Sequence, residues 1–136
     1  FLGLMVRLFV EPGETVVTSL GAYPTFNYHV EGYGGVLHKA PYREDREDLD
    51  ALLALAQKVQ PKLVYVANPD NPMGTWQNAG ALRNFIEALP SASILLLDEA
   101  YVDYAPEEAL LPVALETMRV DCNVSFQSSR FFVLPD

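Results

Sequence analysis

The sequence predicts an α/β fold: a mostly parallel sheet with helices on both faces. Two observations carry this. Lys62–Ala67 (KLVYVA) and Ile94–Leu97 (ILLL) are near-continuous apolar runs, the pattern of strands covered on both sides rather than one. Around them, Leu49, Leu52, Leu53, Ala56 and Val59, and then Leu82, Phe85, Ile86 and Leu89, recur at helical spacing. Strand–helix–strand–helix–strand with crossovers of this length implies a layered sheet with right-handed connections. Both apolar runs break into polar residues at their carboxyl ends, Asn68–Gly74 and Asp98–Tyr101, and ligands of such sheets sit outside those ends.

In chain order, Leu2–Val10 reads as an apolar helix closed by the turn residues Glu11-Pro12-Gly13-Glu14. Thr15–Ser19 is short and β-branched, a first strand. Pro24 opens a helix that ends at the glycine-rich stretch from Gly32 to Gly35. Val36–Tyr42 is a second strand, and Arg43–Asp48 a charged, solvated link. Glu47–Val59 is an amphipathic helix with Asp48 and Asp50 at its positive end, stopped by Pro61. Pro90 stops the next helix. After Tyr104, Pro106-Glu107-Glu108 opens a further helix that Pro112 interrupts, and Asn123–Gln127 reads as a last strand.

The length of 136 residues suits one domain with a real core. A net charge of −9 argues against a nucleic-acid footprint and against a polybasic membrane contact. The opening FLGLMVRLFV is too short to span a bilayer and lacks the charge order of a signal peptide. The single cysteine, Cys122, forms no internal disulfide, which fits a reducing, cytoplasmic setting. The chain starts at Phe1 rather than Met, and a fragment is expected.

Asp98 leads the candidates for chemistry. A carboxylate at the end of a buried strand loses hydration and needs a cation or several donors. A protonated pyridine nitrogen is one such cation, and at about 4 Å with an effective dielectric near 20 the pair gains roughly 4 kcal/mol before desolvation. The ordinary alternative is a cap on the following turn. Asn71 sits between Pro69 and Pro72, in a loop stiff enough to aim an amide, although the same residues also make plain surface turns. Tyr101 follows Asp98 by three residues and brings a hydroxyl to the same end, unless it is a half-buried core tyrosine. Phe26 offers a stacking face, with core packing as its ordinary role. His29 and His38 have no partners at metal-ligand spacing.

Taken together, AYPTFNYH (22–29), NPDNPMGT (68–75) and LLLDEAYVDYAP (95–106) resemble the fold-type-I aminotransferases that depend on pyridoxal phosphate, and among them the histidinol-phosphate aminotransferases. Each motif is weak alone; their order and separation make the resemblance specific from Phe1 to about Pro106. It implies that Asn71 and Tyr101 donate to the cofactor's phenolic oxygen, that Asp98 pairs with its pyridine nitrogen, and that Phe26 stacks on its ring. It further implies a small-molecule amino donor, a keto or phosphate-bearing acceptor, a place in histidine biosynthesis, and a homodimer, with no nucleic acid or membrane partner.

The departures from the family pattern are specific. Its reaction requires a lysine after the last strand, in a Ser-Lys motif, that binds the cofactor as a Schiff base and shuttles the proton. The lysines here are Lys39, Lys58 and Lys62, all before Asp98 and none after a serine. The expectation is therefore a partial cofactor-binding domain over residues 1–122 and a divergent tail over 123–136, from a reading frame truncated or shifted after Asn123, with no catalytic residue in the chain. Two alternatives stand beside it. ILLLDEA (94–100) matches the strand that holds magnesium in P-loop nucleotide hydrolases, but the Gly-x-x-x-x-Gly-Lys loop is missing. The other is a non-enzymatic remnant that pairs through an exposed sheet edge.

Overall fold

The computed structural model describes residues 1–109 and the backbone of residues 131–134. Five strands, β1 (Thr15–Ser19), β2 (Val36–Ala40), β3 (Leu63–Ala67), β4 (Ile94–Asp98) and β5 (Phe131–Leu134), form one sheet in the order β2-β1-β3-β4-β5. The first four run parallel, and β5 lies antiparallel on β4, with Asp98 opposite Phe131. Strand β5 was not expected from the sequence; the expected strand at Asn123–Gln127 lies outside the described residues.

Among the described residues four α-helices cover the sheet: α1 (Leu2–Phe9), α2 (Pro24–Gly32), α3 (Leu49–Val59) and α4 (Ala79–Ala88). They divide by face, as the alternation of side chains along each strand requires. Met5 and Val6 of α1 and Phe26 and Val30 of α2 pack with Val16, Leu63, Tyr65 and Leu96. Leu52 and Ala56 of α3 and Leu82 and Phe85 of α4 pack on the opposite face, with Val17, Val64, Val66, Leu95 and Leu97. Every residue of β3 is buried, which is why the run reads as unbroken rather than alternating.

The boundaries follow local chemistry. Pro24 takes the first turn of α2, where its missing N–H costs nothing. Asp48 caps α3: its Oδ1 accepts from the amides of Asp50 and Ala51 at 3.1 and 3.2 Å. After Tyr104 no α-helix forms within the described residues; Val102–Tyr104 and Glu107–Ala109 are single 3₁₀ turns. No described helix is long and apolar enough to cross a membrane.

One reading of the sequence fails here. The segment Arg43–Asp48 is not uniformly solvated, because Glu47 is only 2% exposed. A tight turn through Glu44 and Asp45, both at positive φ, brings Arg43 and Arg46 together and points the following side chain inward.

Removing the α3 cap gives a direct check. Asp48→Ala is expected to lower unfolding free energy in urea by about 1 kcal/mol, the usual cost of a lost N-cap. An unchanged midpoint would show that the two amide bonds contribute nothing.

Candidate functional site

The connections of β1 set the place of the site. Strand β2 lies on one side of β1 and β3 on the other, so the strand order reverses there, and ligands of such sheets bind outside the carboxyl ends; the candidate residues follow β3 and β4. The ladder between β3 and β4 continues one step past the strand, with the Asn68 amide donating to the Asp98 carbonyl at 2.8 Å. Beyond it the Asn68–Thr75 loop is tied to itself: Asp70 N donates to Thr75 O, Gly74 N donates to Asp70 O, and the Gln77 amide donates to Asn68 Oδ1 at 2.7 Å. Gly74 has φ +68°, a conformation a side chain would strain.

This loop holds Asn71 against the turn after β4. Asn71 Nδ2 donates to the Tyr101 hydroxyl at 3.2 Å across 30 residues of sequence. Both line a crevice of about 460 Å³, with Asp70, Trp76, Tyr104 and Pro106 among its walls. Tyr101 is 44% exposed, so it is not the core tyrosine that its type suggests.

Asp98 stands at the end of β4, paired with Ala67 of β3, and does not line that crevice. Its Oδ2 accepts from the Tyr65 hydroxyl at 2.8 Å and its Oδ1 from the Ala100 amide at 3.0 Å. Burial raises its pKa, and these two hydrogen bonds act against the rise. The cap role weighed from the sequence is therefore real, but it uses only one oxygen.

Phe26 lies elsewhere. It is fully buried, and its ring stacks on Tyr65 with centroids 4.3 Å apart and planes 12° from parallel. Phe26, expected to stack on a bound ring, is packed by α2 into the core with one ring face on Tyr65 and is not among the residues that line the crevice.

Three polar residues of this region escaped the sequence reading. Glu47 places Oε2 at 3.1 Å from the Ala67 amide and its carbonyl under Gln77 Nε2 at 2.7 Å. Burial, and then the charge of Asp70, push it up to about 8, against the pull of the Ser19 hydroxyl and the Ala67 amide. The Tyr42 hydroxyl donates to Asp70 Oδ2 at 2.7 Å; its ring crosses Gly21, where an added Cβ would lie 3.0 Å from it. Tyr65 is the third. Only Tyr65 left a trace in the sequence, as the one polar tip in an apolar strand, since a buried hydroxyl needs a partner.

A family model described as aminotransferase class I and II matches residues 2–129. The chain belongs to that family. Among solved structures, histidinol-phosphate aminotransferase from Sinorhizobium meliloti, in complex with pyridoxal-5'-phosphate, is 54% identical with a TM-score of 0.83, over 87% of this chain and 32% of that one. Histidinol-phosphate aminotransferase from Anaeromyxobacter sp. (strain Fw109-5) is 42% identical over 102 residues, 74% of this chain. A second such enzyme, from Pseudomonas fluorescens (strain Pf0-1), is 36% identical over 115 residues, 85% of this chain. Cystalysin from Treponema denticola, at 18% identity and a TM-score of 0.64, shares the fold alone. The chain spans 28% and 30% of the lengths of these two curated relatives. Family membership removes the nucleotide-hydrolase alternative for the Asp98-Glu99 strand end.

The buried carboxyl of Glu47 gives this chain a testable pH dependence. A folded pKa near 8 against an ordinary 4.5 means that its contribution is complete below 4.5 and is lost as pH rises through 8. Glu47→Gln, which stays neutral, should therefore flatten the fall in stability between about pH 5 and 8, by on the order of a few kcal/mol. Parallel urea series for the two proteins check it; identical slopes would contradict the buried neutral carboxyl.

Proposed function

We propose that this chain is the cofactor-binding part of a pyridoxal-phosphate-dependent aminotransferase that exchanges an amino group between an amino donor and a phosphate-bearing substrate of the histidinol-phosphate type, in histidine biosynthesis. The observation that carries the proposal is the 3.2 Å bond between Asn71 and Tyr101, which joins the loop after β3 to the turn after β4, the strand that Asp98 ends. An amide and a phenol that already touch form a two-donor clamp for one phenolic oxygen, because the Tyr101 hydroxyl keeps its own proton to give. Asp98 has an accepting lone pair left on each oxygen and lies where burial makes a positive partner favourable. The residues present thus fit the group.

Bound there, pyridoxal phosphate supplies an electron sink for a carbanion next to the transferred nitrogen. The chain's own part is to hold and orient. Asn71 and Tyr101 would hold the group's phenolic oxygen, and Asp98 would stabilise positive charge at its ring nitrogen. The stiff Asn68–Thr75 loop holds the amide in place for binding. Asp98 must be ionised to act, and its hydrogen bonds from Tyr65 and Ala100 favour that form.

The proton-shuttling lysine of the resemblance has no counterpart at the site. Lys39 is in β2 and ion-paired with Glu31 at 3.7 Å, Lys58 ends α3, and Lys62 precedes β3; none lines the crevice. The proposal therefore assigns binding, and not turnover, to these residues. We further propose that residues 1–122 carry the cofactor-binding fold and that 123–136 diverge from it, although the family match overlaps the start of that tail. A homodimer and a cytoplasmic location complete the proposal, supported by the resemblance and by the lone Cys122.

Titration with pyridoxal phosphate, followed by its visible absorbance, tests the reading. Binding is expected, with Asp98→Ala weakening it about tenfold or more and Asn71→Ala by a smaller factor, as for loss of a charged and a neutral hydrogen bond. After borohydride treatment the cofactor should still dialyse away. Stoichiometric fixation on one lysine, or an Asp98→Ala variant that binds as well as the parent, would contradict the assignment.

A further inference from the structure

We infer that Tyr65 is a positioning residue for Asp98: its hydroxyl, held by the Phe26 stack, orients the carboxylate toward the ring nitrogen and keeps it available as an acceptor. The inference rests on the cofactor reading above and adds to it a residue that touches neither ligand nor crevice.

The geometry is over-determined in a way that simple core packing does not require. Tyr65 and Ala67 are two residues apart on β3 and so share a sheet face, and Ala67 is in register with Asp98 on β4. The Tyr65 ring therefore lies along the face that Asp98 occupies, and its tip meets Oδ2 at 2.8 Å. The side chain is 1% exposed and stacked on Phe26, which removes its freedom to turn away. Ala100 N engages the other oxygen, so the carboxylate is gripped on Oδ2 from the neighbouring strand and on Oδ1 from its own turn. Rotation about the Cβ–Cγ bond of Asp98 would break both bonds, and one accepting direction on each oxygen stays open.

The direction of donation is also fixed. Burial, followed by the charge of Asp98 and its hydrogen bond, raises the Tyr65 pKa, and the charges of Glu47 and Asp70 add to it. Tyr65 keeps its proton and can only give it to the carboxylate. That donation offsets the burial that favours protonated Asp98. Phe26, expected from the sequence to meet the ring directly, acts here two contacts away, through Tyr65.

The test uses Tyr65→Phe, which keeps the aromatic stack and removes one oxygen. Carbon-13 NMR of the aspartate carboxyl carbons, with Asp98 assigned by Asp98→Asn, reads the tie without any cofactor: the Asp98 midpoint should move up in Tyr65→Phe. Pyridoxal phosphate affinity near pH 7 should fall about tenfold, and the deficit should shrink above the new midpoint, where the carboxylate is ionised again. A folded Tyr65→Phe protein with an unmoved Asp98 midpoint would overturn the inference. A moved midpoint with unchanged affinity would equally refute the positioning role. If the parent chain does not bind the cofactor while the midpoint still moves, the cofactor reading fails and the hydrogen bond survives, which separates the two failures. Should Tyr65→Phe not fold, Phe26→Leu retains the hydroxyl and loosens its support; a smaller upward shift is expected, and no shift would count against the stack.

Discussion

A carboxylate cannot be left at the end of a buried strand without compensation, and much of this site answers to that one constraint. Asp98 is carried there by β4, whose apolar residues bury it as they bury themselves. Its compensation comes from a phenol on the next strand and an amide in its own turn. Neither donor carries a full charge. The position thus stays favourable for a cation, and the family's cofactor brings one at its ring nitrogen.

The same device occurs twice along this edge of the sheet. Tyr65 donates to Asp98 and Tyr42 donates to Asp70. Glu47 meets the same pressure differently, by holding its proton. Three carboxyl groups close together would repel one another if all were ionised. Two phenols and one retained proton lower that cost, and the hydrogen bond from Tyr65 acts against the burial that raises the Asp98 pKa. The Asn68–Thr75 loop then holds the Asn71 amide against the Tyr101 hydroxyl in the wall of the crevice.

The architecture was legible because burial on both faces of β3 and β4, and the helical spacing around them, leave direct marks in the sequence. Asn71 and Tyr101 were legible for a related reason: they are polar residues at strand ends where packing has no use for them. Glu47 was not, since a charged residue inside a run of charges looks like solvent, and only the turn through Glu44 and Asp45 sends it inward. The setting of Phe26 was not legible, because a single aromatic carries no sign of which neighbour covers it. Its partner, Tyr65, lies 39 positions away in sequence, in a strand whose apolar pattern conceals its hydroxyl.

The most direct measurement is a crystal structure of this chain grown with pyridoxal phosphate. The account predicts the ring nitrogen within about 3 Å of an Asp98 oxygen, with the phenolic oxygen shared by Asn71 and Tyr101. A ring bound with its nitrogen facing away from Asp98, or held at another surface altogether, would contradict it.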